Sequence, residues 1–178
     1  ALFENMFPLP NGVSYNSYLI LDEKVALMDT VDAAITRQFF ENIEHALGGR
    51  AIDYLVVNHM EPDHSAGIGE LCRRFPKMRI VGNAKTFQLL RQFCGGDFGE
   101  RLHEVKDGGE LRLGVRSLRF VAASMVHWPE VMMSYEQTDG LLFSADAFGS
   151  FGALSGSRFA DENDFEGHFL SEARRHYT

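Results

Sequence analysis

Basic residues and cysteines are scarce in this chain. Its 178 residues include 17 lysines and arginines against 25 aspartates and glutamates, which gives a formal net charge of −8. Nucleic-acid binding depends on clustered positive charge, so we expect no nucleic-acid partner. The two cysteines, Cys72 and Cys94, are too few for a disulfide scaffold. Cys72 falls on the apolar side of a predicted helix, where we expect a buried thiol.

Long apolar segments are also lacking. No stretch is long enough to span a membrane, and residues 1–5 lack the basic region that begins a signal peptide. We therefore expect a cytoplasmic protein without a membrane partner. Hydrophobic residues make up 45% of the 178 positions, which is enough for one domain with its own core. We find no internal repeat, low-complexity tract or linker, and we expect a single domain over 1–178.

Apolar periodicity predicts strands and helices that alternate in the first half of the chain. Expected strands cover 14–21, 25–29, 52–57 and 78–81, the first two as a hairpin. Expected helices cover 33–47, 65–75 and 85–93. Later segments are expected to form strands over 111–113, 117–123, 131–135 and 141–143, a Gly/Ser-rich loop over 149–157 and the start of a helix over 172–177. This mixed order is typical of an α/β fold, with sheet layers covered by helices.

The most informative part of the sequence is the segment His59-Met60-Glu61-Pro62-Asp63-His64. It places two imidazoles and two carboxylates in one tight turn, stiffened by a proline, directly after the apolar run 54–57. Side chains this close along the chain can converge on a metal without movement elsewhere. Their nitrogen and oxygen donors are suitable ligands for a transition metal.

Two further candidate ligands follow apolar runs later in the chain. His127 comes after the run 118–123, and Asp146 comes after the run 141–143. Loops at strand ends are where a rigid sheet displays functional groups. Three such loops could meet at one edge of a sheet and supply six ligands, namely His59, Glu61, Asp63, His64, His127 and Asp146.

Each of these residues has a simpler explanation when it is taken alone. His59 could be a hydrogen-bonded loop histidine, Asp63 could cap the following helix, and His127 could stack beside Trp128. The joint pattern favours a metal centre instead. The other four histidines have no partners at ligand spacing and are not expected to bind metal: His45, His103, His168 and His176.

The donor set narrows the choice of metal. Three imidazoles and three carboxylates, without a thiolate, suit iron, manganese or zinc and argue against a structural zinc site. Six ligands are too many for one ion that must also hold substrate. We therefore expect two ions, with Asp146 as the bridging carboxylate. The negative charge of Glu61 favours a site that can hold ferric iron.

These residues resemble the di-iron motif of the flavodiiron proteins, also called A-type flavoproteins. The resemblance covers essentially the whole chain and extends to segments around the ligands, namely Ser14-Tyr15-Asn16-Ser17-Tyr18-Leu19, Asn58 to Ser65, His127-Trp128-Pro129-Glu130 and Leu142 to Gly149. The family consists of oxygen and nitric-oxide reductases whose catalytic domain has the metallo-β-lactamase fold. The resemblance therefore implies an αββα sandwich, incomplete at its C-terminal end, and an oxidoreductase.

The resemblance also implies a role for each ligand. His59, Glu61 and His127 would bind one iron, Asp63 and His64 would bind the other, and Asp146 would bridge them. The substrate would be oxygen, reduced to water, or nitric oxide, reduced to nitrous oxide. Electrons would arrive from a rubredoxin-like or other donor through FMN. The family works as a head-to-tail dimer, so a homo-oligomer is expected.

The chain departs from the family pattern downstream of Asp146. A further histidine ligand of the second iron is absent, as are the last strands of the sandwich and the flavodoxin-like domain that holds FMN. We expect an N-terminal part of a longer protein, with a natural truncation as the alternative. The second iron site should then be weakly or partially occupied, and the isolated chain should be inactive with a physiological donor.

Two other functions compete with the oxidoreductase. A hydrolase of the same fold would use a metal-bound hydroxide on an ester, thioester or phosphodiester. Such hydrolases usually carry a histidine where Glu61 stands, and zinc rather than iron would favour them. A protein that only binds metal or a partner is the third possibility, and loss of all metal during purification would favour it.

Overall fold

The computed structural model describes residues 2–3, 7–9, 12–153 and 159–177. The chain forms two compact units, one of Asn16–Ala145 and the other of Ala1–Tyr15 together with Asp146–Thr178. Within the described residues, no helix combines the length and the apolar character that crossing a membrane requires.

The larger unit contains a five-stranded sheet with four helices in its connections. Its strands are β3 (Tyr18–Leu21), β4 (Val25–Met28), β5 (Tyr54–Val56), β6 (Arg79–Gly82) and β7 (Leu102–Glu104), in that spatial order. β3 and β4 form the predicted antiparallel hairpin, and every later pair is parallel. The helices are α1 (Thr36–Leu47), the single turn α2 (Pro62–Ser65), α3 (Ile68–Arg74) and α4 (Ala84–Cys94). Right-handed crossovers between parallel strands place α1, α3 and α4 on the same face of this sheet.

A second sheet in the larger unit is entirely antiparallel. Its strands are β8 (Glu110–Arg112), β9 (Ser117–Ala122), β10 (Met132–Glu136) and β11 (Leu141–Phe143), in the order β11-β10-β9-β8. The central pair β9 and β10 is in register over five residues, from Met132 opposite Ala122 to Glu136 opposite Leu118. This long pairing fixes which side chains of the second sheet face the first.

The hydrophobic core lies between these two sheets. Alternate residues of the first sheet, including Met28, Val56 and Val81, pack in one cluster with Phe120 and Met132 of the second. Their neighbours Leu27, Leu55 and Ile80 are equally buried but lie outside this cluster. Because side chains alternate along a strand, these neighbours face the helical layer. The first sheet is therefore covered on both faces, as expected for parallel strands.

The smaller unit contains short elements. β1 (Leu2–Phe3) pairs with β2 (Phe7–Pro8), and the C-terminal segment forms a 3₁₀ turn (Ala160–Glu162), α5 (Phe165–His168) and α6 (Leu170–Tyr177). The helix predicted over 172–177 is part of α6. Of the Gly/Ser-rich loop predicted over 149–157, residues 149–153 contain no helix or strand, and 154–157 lie outside the described residues.

The structure corrects three local predictions and adds one strand. The helix predicted over 65–75 is two helices, interrupted at Ala66 and Gly67, where the Gly67 amide donates to the Thr30 hydroxyl at 3.1 Å. Strand β7 was not predicted, since its sequence is short and not apolar. Cys72 is half-buried rather than buried. The helix predicted from residue 33 begins as a 3₁₀ turn (Ala33–Ile35), with the Asp32 carboxylate accepting the Ala34 amide at 2.7 Å.

Candidate metal centre

The predicted ligand turn lies where β5 ends, between the two sheets of the larger unit. The strand stops at Val56, and the Asn58 carbonyl then accepts the Met132 amide of β10 at 3.0 Å. This hydrogen bond ties the turn to the second sheet just before His59. The turn is therefore held by both layers of the sandwich.

Local hydrogen bonds give the turn a fixed shape. Pro62 occupies the first position of α2, where its missing N–H costs no hydrogen bond. The His64 amide donates to the Glu61 carbonyl at 2.9 Å, and the Ser65 hydroxyl donates to the Met60 carbonyl at 2.9 Å. The amide and hydroxyl of Thr30 donate to the His64 carbonyl at 2.7 and 2.9 Å. The ligand side chains thus project from a backbone that is anchored to the end of β4.

Three predicted ligands converge on one point. His59 Nε2 lies 3.0 Å from Glu61 Oε2 and 3.4 Å from His127 Nε2. His127 Nε2 lies 2.9 Å from the same Glu61 oxygen. His59 is fully buried, whereas the side chains of Glu61 and His127 are 15% and 25% exposed. One side of the group is therefore accessible to a small molecule.

These distances fit a metal ion. Ligand atoms about 2.1 Å from one ion are about 3.0 Å apart at a right angle and about 3.4 Å apart at the tetrahedral angle. The three separations of 2.9, 3.0 and 3.4 Å fall in this range. Two imidazole nitrogens that face each other at the longest of these distances also need a cation or a proton between them. The donor chemistry and the spacing therefore agree with the metal that the resemblance implies.

Asp63 and His64 form a second pair of donors on α2. His64 Nε2 lies 3.5 Å from Asp63 Oδ2, and both residues are almost fully buried. The His64 ring packs against the His59 ring with centroids 5.2 Å apart. The His59–Glu61 pair and the Asp63–His64 pair are thus neighbours within one turn.

Asp146, the sixth predicted ligand, belongs to the other unit. It begins the segment 146–178, three residues after β11 ends at Phe143, and its carbonyl accepts the Gly149 amide at 2.7 Å. Its role as a bridging ligand remains a prediction.

Glu130 was not predicted from the sequence, although it contacts a predicted ligand directly. Its Oε1 lies 2.7 Å from His59 Nδ1 and accepts the Met60 amide at 2.9 Å. Burial opposes ionisation of this carboxyl, but the hydrogen bonds with His59 and Met60 outweigh it and lower the pKa of Glu130. The signal that could have identified it is an acidic residue directly after the His127-Trp128-Pro129 segment.

A buried network of polar side chains holds the backbone of the ligand turn in place. The Asp29 carboxylate accepts the amides of Asn58 and His59, at 2.7 and 3.3 Å, and the Asn58 side chain at 3.2 Å. The Asn58 carboxamide oxygen accepts the Ser134 hydroxyl of β10 at 2.7 Å. Burial raises the pKa of Asp29, and the hydrogen bonds from Asn58 and His59 oppose that change. The network joins the two sheets directly beneath the ligands.

Backbone strain is concentrated around the predicted ligands. The non-glycine residues with positive φ among those described are Asp29, Met125 and Ala145, with φ of 53°, 69° and 52°. Asp29 supports the ligand turn, Met125 lies two residues before His127, and Ala145 directly precedes Asp146. Such conformations cost energy and are retained where a site requires them, so this distribution supports a functional role for these loops.

Trp128 covers one side of His59. The two rings meet edge to face with centroids 5.3 Å apart, and Phe93 of α4 packs against Trp128 at 6.4 Å. Trp128 is the single tryptophan of the chain. Its fluorescence therefore reports on the surroundings of His59.

The sequence matches a known family over nearly its whole length. Residues 13–177 match the family described as ODP family beta lactamase. The nitric oxide reductase of Moorella thermoacetica is 36% identical over 173 residues, which cover 97% of this chain and 42% of that protein. The chain spans between 26% and 42% of the length of eight curated relatives that it matches.

Solved structures share the fold. The flavodiiron protein from Giardia intestinalis superposes with a TM-score of 0.85 at 30% identity, covering 98% of this chain and 42% of that chain. The rubredoxin oxygen:oxidoreductase of Desulfovibrio gigas superposes with a TM-score of 0.88 at 30% identity, covering 98% and 43%. The predicted α/β fold of the metallo-β-lactamase type is therefore confirmed.

Proposed function

The chain belongs to the ODP family of beta-lactamase-like proteins, which includes flavodiiron proteins, and on that premise we propose that it forms the metal-binding part of an oxygen or nitric-oxide reductase. The observation that carries this proposal is the position of Glu61. Its carboxylate lies within 3.0 Å of the metal-facing nitrogens of both His59 and His127. A carboxylate in this position adds negative charge to the ligand set and favours a redox-active iron over the zinc of a hydrolase.

We propose the ligand assignment that the resemblance implies. His59, Glu61 and His127 would hold one iron, and Asp63 and His64 would hold a second, with Asp146 as the bridge. When bound, the two irons would pass electrons from an external donor to the substrate, four for the reduction of one oxygen molecule to water or two for the reduction of two nitric oxides to nitrous oxide. The convergence of the first three donors supports the first site, and the closeness of Asp63 to His64 supports the second.

The protein residues would position the metals and control access to them. The buried carboxylates of Asp29 and Glu130 hold the backbone and the ring of His59, so that the ligands need no rearrangement when a metal binds. Trp128 covers the His59 ring, whereas Glu61 and His127 remain partly exposed. A diatomic substrate would therefore approach from the side of Glu61 and His127.

The proposed reaction would need an electron donor. We propose that residues 1–178 act as one catalytic domain in the cytoplasm and form a homo-oligomer. Electrons would arrive from a rubredoxin-like or other donor through FMN in a flavodoxin-like domain. The names of the relatives support this assignment, since they include a flavodiiron protein and a rubredoxin oxygen:oxidoreductase.

A single-turnover experiment tests the proposed reaction without a flavin. The chain is loaded with ferrous iron under anaerobic conditions, desalted and mixed with nitric oxide, and nitrous oxide is measured by gas chromatography. We expect nitrous oxide from the iron-loaded chain, in proportion to the fraction of chains that hold two irons, and none from the zinc-loaded chain. A zinc-loaded chain that hydrolyses a thioester, beside an iron-loaded chain that produces no nitrous oxide, would instead support the hydrolase.

A further inference from the structure

We propose that Glu130 is a positioning residue that holds His59 in the tautomer required for metal binding. The Glu130 carboxylate would keep the proton of the neutral His59 ring on Nδ1, which leaves the Nε2 lone pair facing Glu61 and His127. The inference rests on the proposed function in one respect, because it takes Nε2 of His59 as a metal ligand.

The contacts of one carboxylate oxygen determine the direction of the hydrogen bond. Glu130 Oε1 lies 2.9 Å from the Met60 amide and 2.7 Å from His59 Nδ1. A backbone N–H can only donate, so Oε1 is an acceptor at this position. His59 Nδ1 must then be the donor, since a ring nitrogen without a proton would face the lone pairs of this oxygen. His59 Nδ1 is the donor whether or not the second oxygen of Glu130 carries a proton.

The position of Glu130 is itself fixed. Both Glu130 and His59 have fully buried side chains, so water does not compete for their hydrogen bond. The Asn83 side-chain amide donates to the Glu130 carbonyl at 2.7 Å, while the oxygen of the same side chain accepts the amides of Lys85 and Thr86 at the start of α4. Glu130 is thus held by a helix cap on one side and by the Met60 amide on the other.

The other ring nitrogen of His59, Nε2, faces the candidate ligands. Nε2 lies 3.0 Å from Glu61 Oε2 and 3.4 Å from His127 Nε2, which is the point where the three candidate ligands converge. A proton on Nε2 would block metal binding there. Carboxylates that accept the second N–H of a metal-binding histidine fix its tautomer and orientation and raise its basicity. Glu130 has the contacts for this role, and the sequence alone did not reveal it.

Glu136 offers a matched control. It lies at the other end of β10, its side chain is 1% exposed, and it accepts two backbone amides, from Thr138 at 2.9 Å and Asp139 at 2.7 Å. Replacing Glu136 therefore removes a buried carboxylate of similar structural importance without touching a predicted ligand. Substitutions E130Q and E130L are compared with E136Q and E136L.

The first measurement uses the metal-free 178-residue chain. Long-range ¹H–¹⁵N NMR spectra distinguish the two neutral tautomers of each histidine ring. We expect His59 to carry a proton on Nδ1 in the wild type, in E130Q, whose amide oxygen can still accept, and in both Glu136 variants, whether or not a second proton occupies Nε2 while the metal is absent. E130L should shift His59 towards the Nε2-protonated form.

The second measurement titrates the same proteins with Co²⁺ alone, followed by its visible absorption and by quenching of Trp128 fluorescence. We expect the Kd of E130L to rise by about 10–100-fold and that of E130Q by about three- to tenfold, while the Glu136 variants stay within about twofold of the wild type. If E130L does not fold, the tautomer in the wild type and the Kd of E130Q decide the question.

The outcomes separate this inference from the proposed function. A wild-type His59 without a proton on Nδ1, or Glu130 variants with unchanged affinity for Co²⁺, would overturn the role of Glu130 while leaving the metal centre in place. Failure of the wild type to bind Co²⁺ would overturn the metal centre, and the tautomer measurement would still decide the role of Glu130.

Discussion

The Asp29 carboxylate accepts the Asn58 backbone amide at 2.7 Å and the Asn58 side chain at 3.2 Å. These two residues follow the adjacent parallel strands β4 and β5, so the pair joins the ends of both strands directly beneath the ligand turn. Asp29 also has a φ of 53°, a conformation that aspartate and asparagine tolerate better than most residues. The ligand turn therefore depends on a buried carboxylate that is not one of the predicted ligands.

Replacing Asp29 should strongly destabilise the protein. D29A leaves the amides of Asn58 and His59 buried without this acceptor, and we expect the free energy of unfolding to fall by about 3 kcal/mol or more. D29N keeps one acceptor oxygen and should cost about half as much. Urea unfolding followed by circular dichroism measures both effects.

Asp32 provides the control for this measurement. It also accepts a backbone amide, that of Ala34, but its hydrogen bond is exposed to solvent. D32A should cost only about 1 kcal/mol, as is usual for the loss of a helix cap. Equal losses in D29A and D32A would mean that burial of the Asp29 network contributes nothing.

Glu136 should contribute to the loss of stability in acid. Burial opposes ionisation of its carboxyl, but hydrogen bonds from the amides of Asp139 and Thr138, together with the charge of Arg116, lower the pKa of Glu136. Because the pKa is lower in the folded state, this stabilisation is complete above the unfolded value of about 4.3. It is lost as the pH falls through the folded value.

The E136Q variant isolates that contribution. Its free energy of unfolding should fall less than that of the wild type between about pH 5 and pH 3, since glutamine has no charge to lose. Arg116 also pairs with Asp139, and that pair is present in both proteins. E41Q, on the exposed surface of α1, should follow the wild-type profile. Parallel curves for E136Q and the wild type would contradict the assignment.

Glu61 should be required for iron binding. E61Q keeps the shape of the side chain but removes its charge, so the affinity for Fe²⁺ should fall at least about 10–100-fold, the range seen when only a supporting residue is removed. Anaerobic titration followed by Trp128 fluorescence gives the Kd, with E41Q as the control. Iron bound by E61Q as tightly as by the wild type would exclude Glu61 as a ligand.

The sequence contained enough information for the sheets and for the ligand turn. Apolar runs bounded by turn residues predicted every strand of the larger unit except β7, and the bounds of β11 were predicted as they are observed. The ligand turn was recognisable because four donors lie within six consecutive residues. Features of this kind depend on neighbours along the chain, which a single sequence displays directly.

Residues that act through distant partners could not be predicted in the same way. Glu130 lies 71 positions after His59. An acidic residue after a proline reads as a solvated loop residue until the packing of the two sheets is known. The break between α2 and α3 has a similar origin, because the Gly67 amide donates to the hydroxyl of Thr30, 37 positions earlier. In both cases the deciding contact is tertiary.

The most direct test of the metal centre is the iron content of three proteins after anaerobic loading and desalting: the wild type, H127A and H45A. His127 lies within 3.4 Å of His59 Nε2 and 2.9 Å of Glu61 Oε2, whereas His45 is exposed on α1. We predict that the wild type and H45A retain at least one iron per chain and that H127A retains markedly less. Equal iron retention in H127A and H45A would contradict the proposed centre.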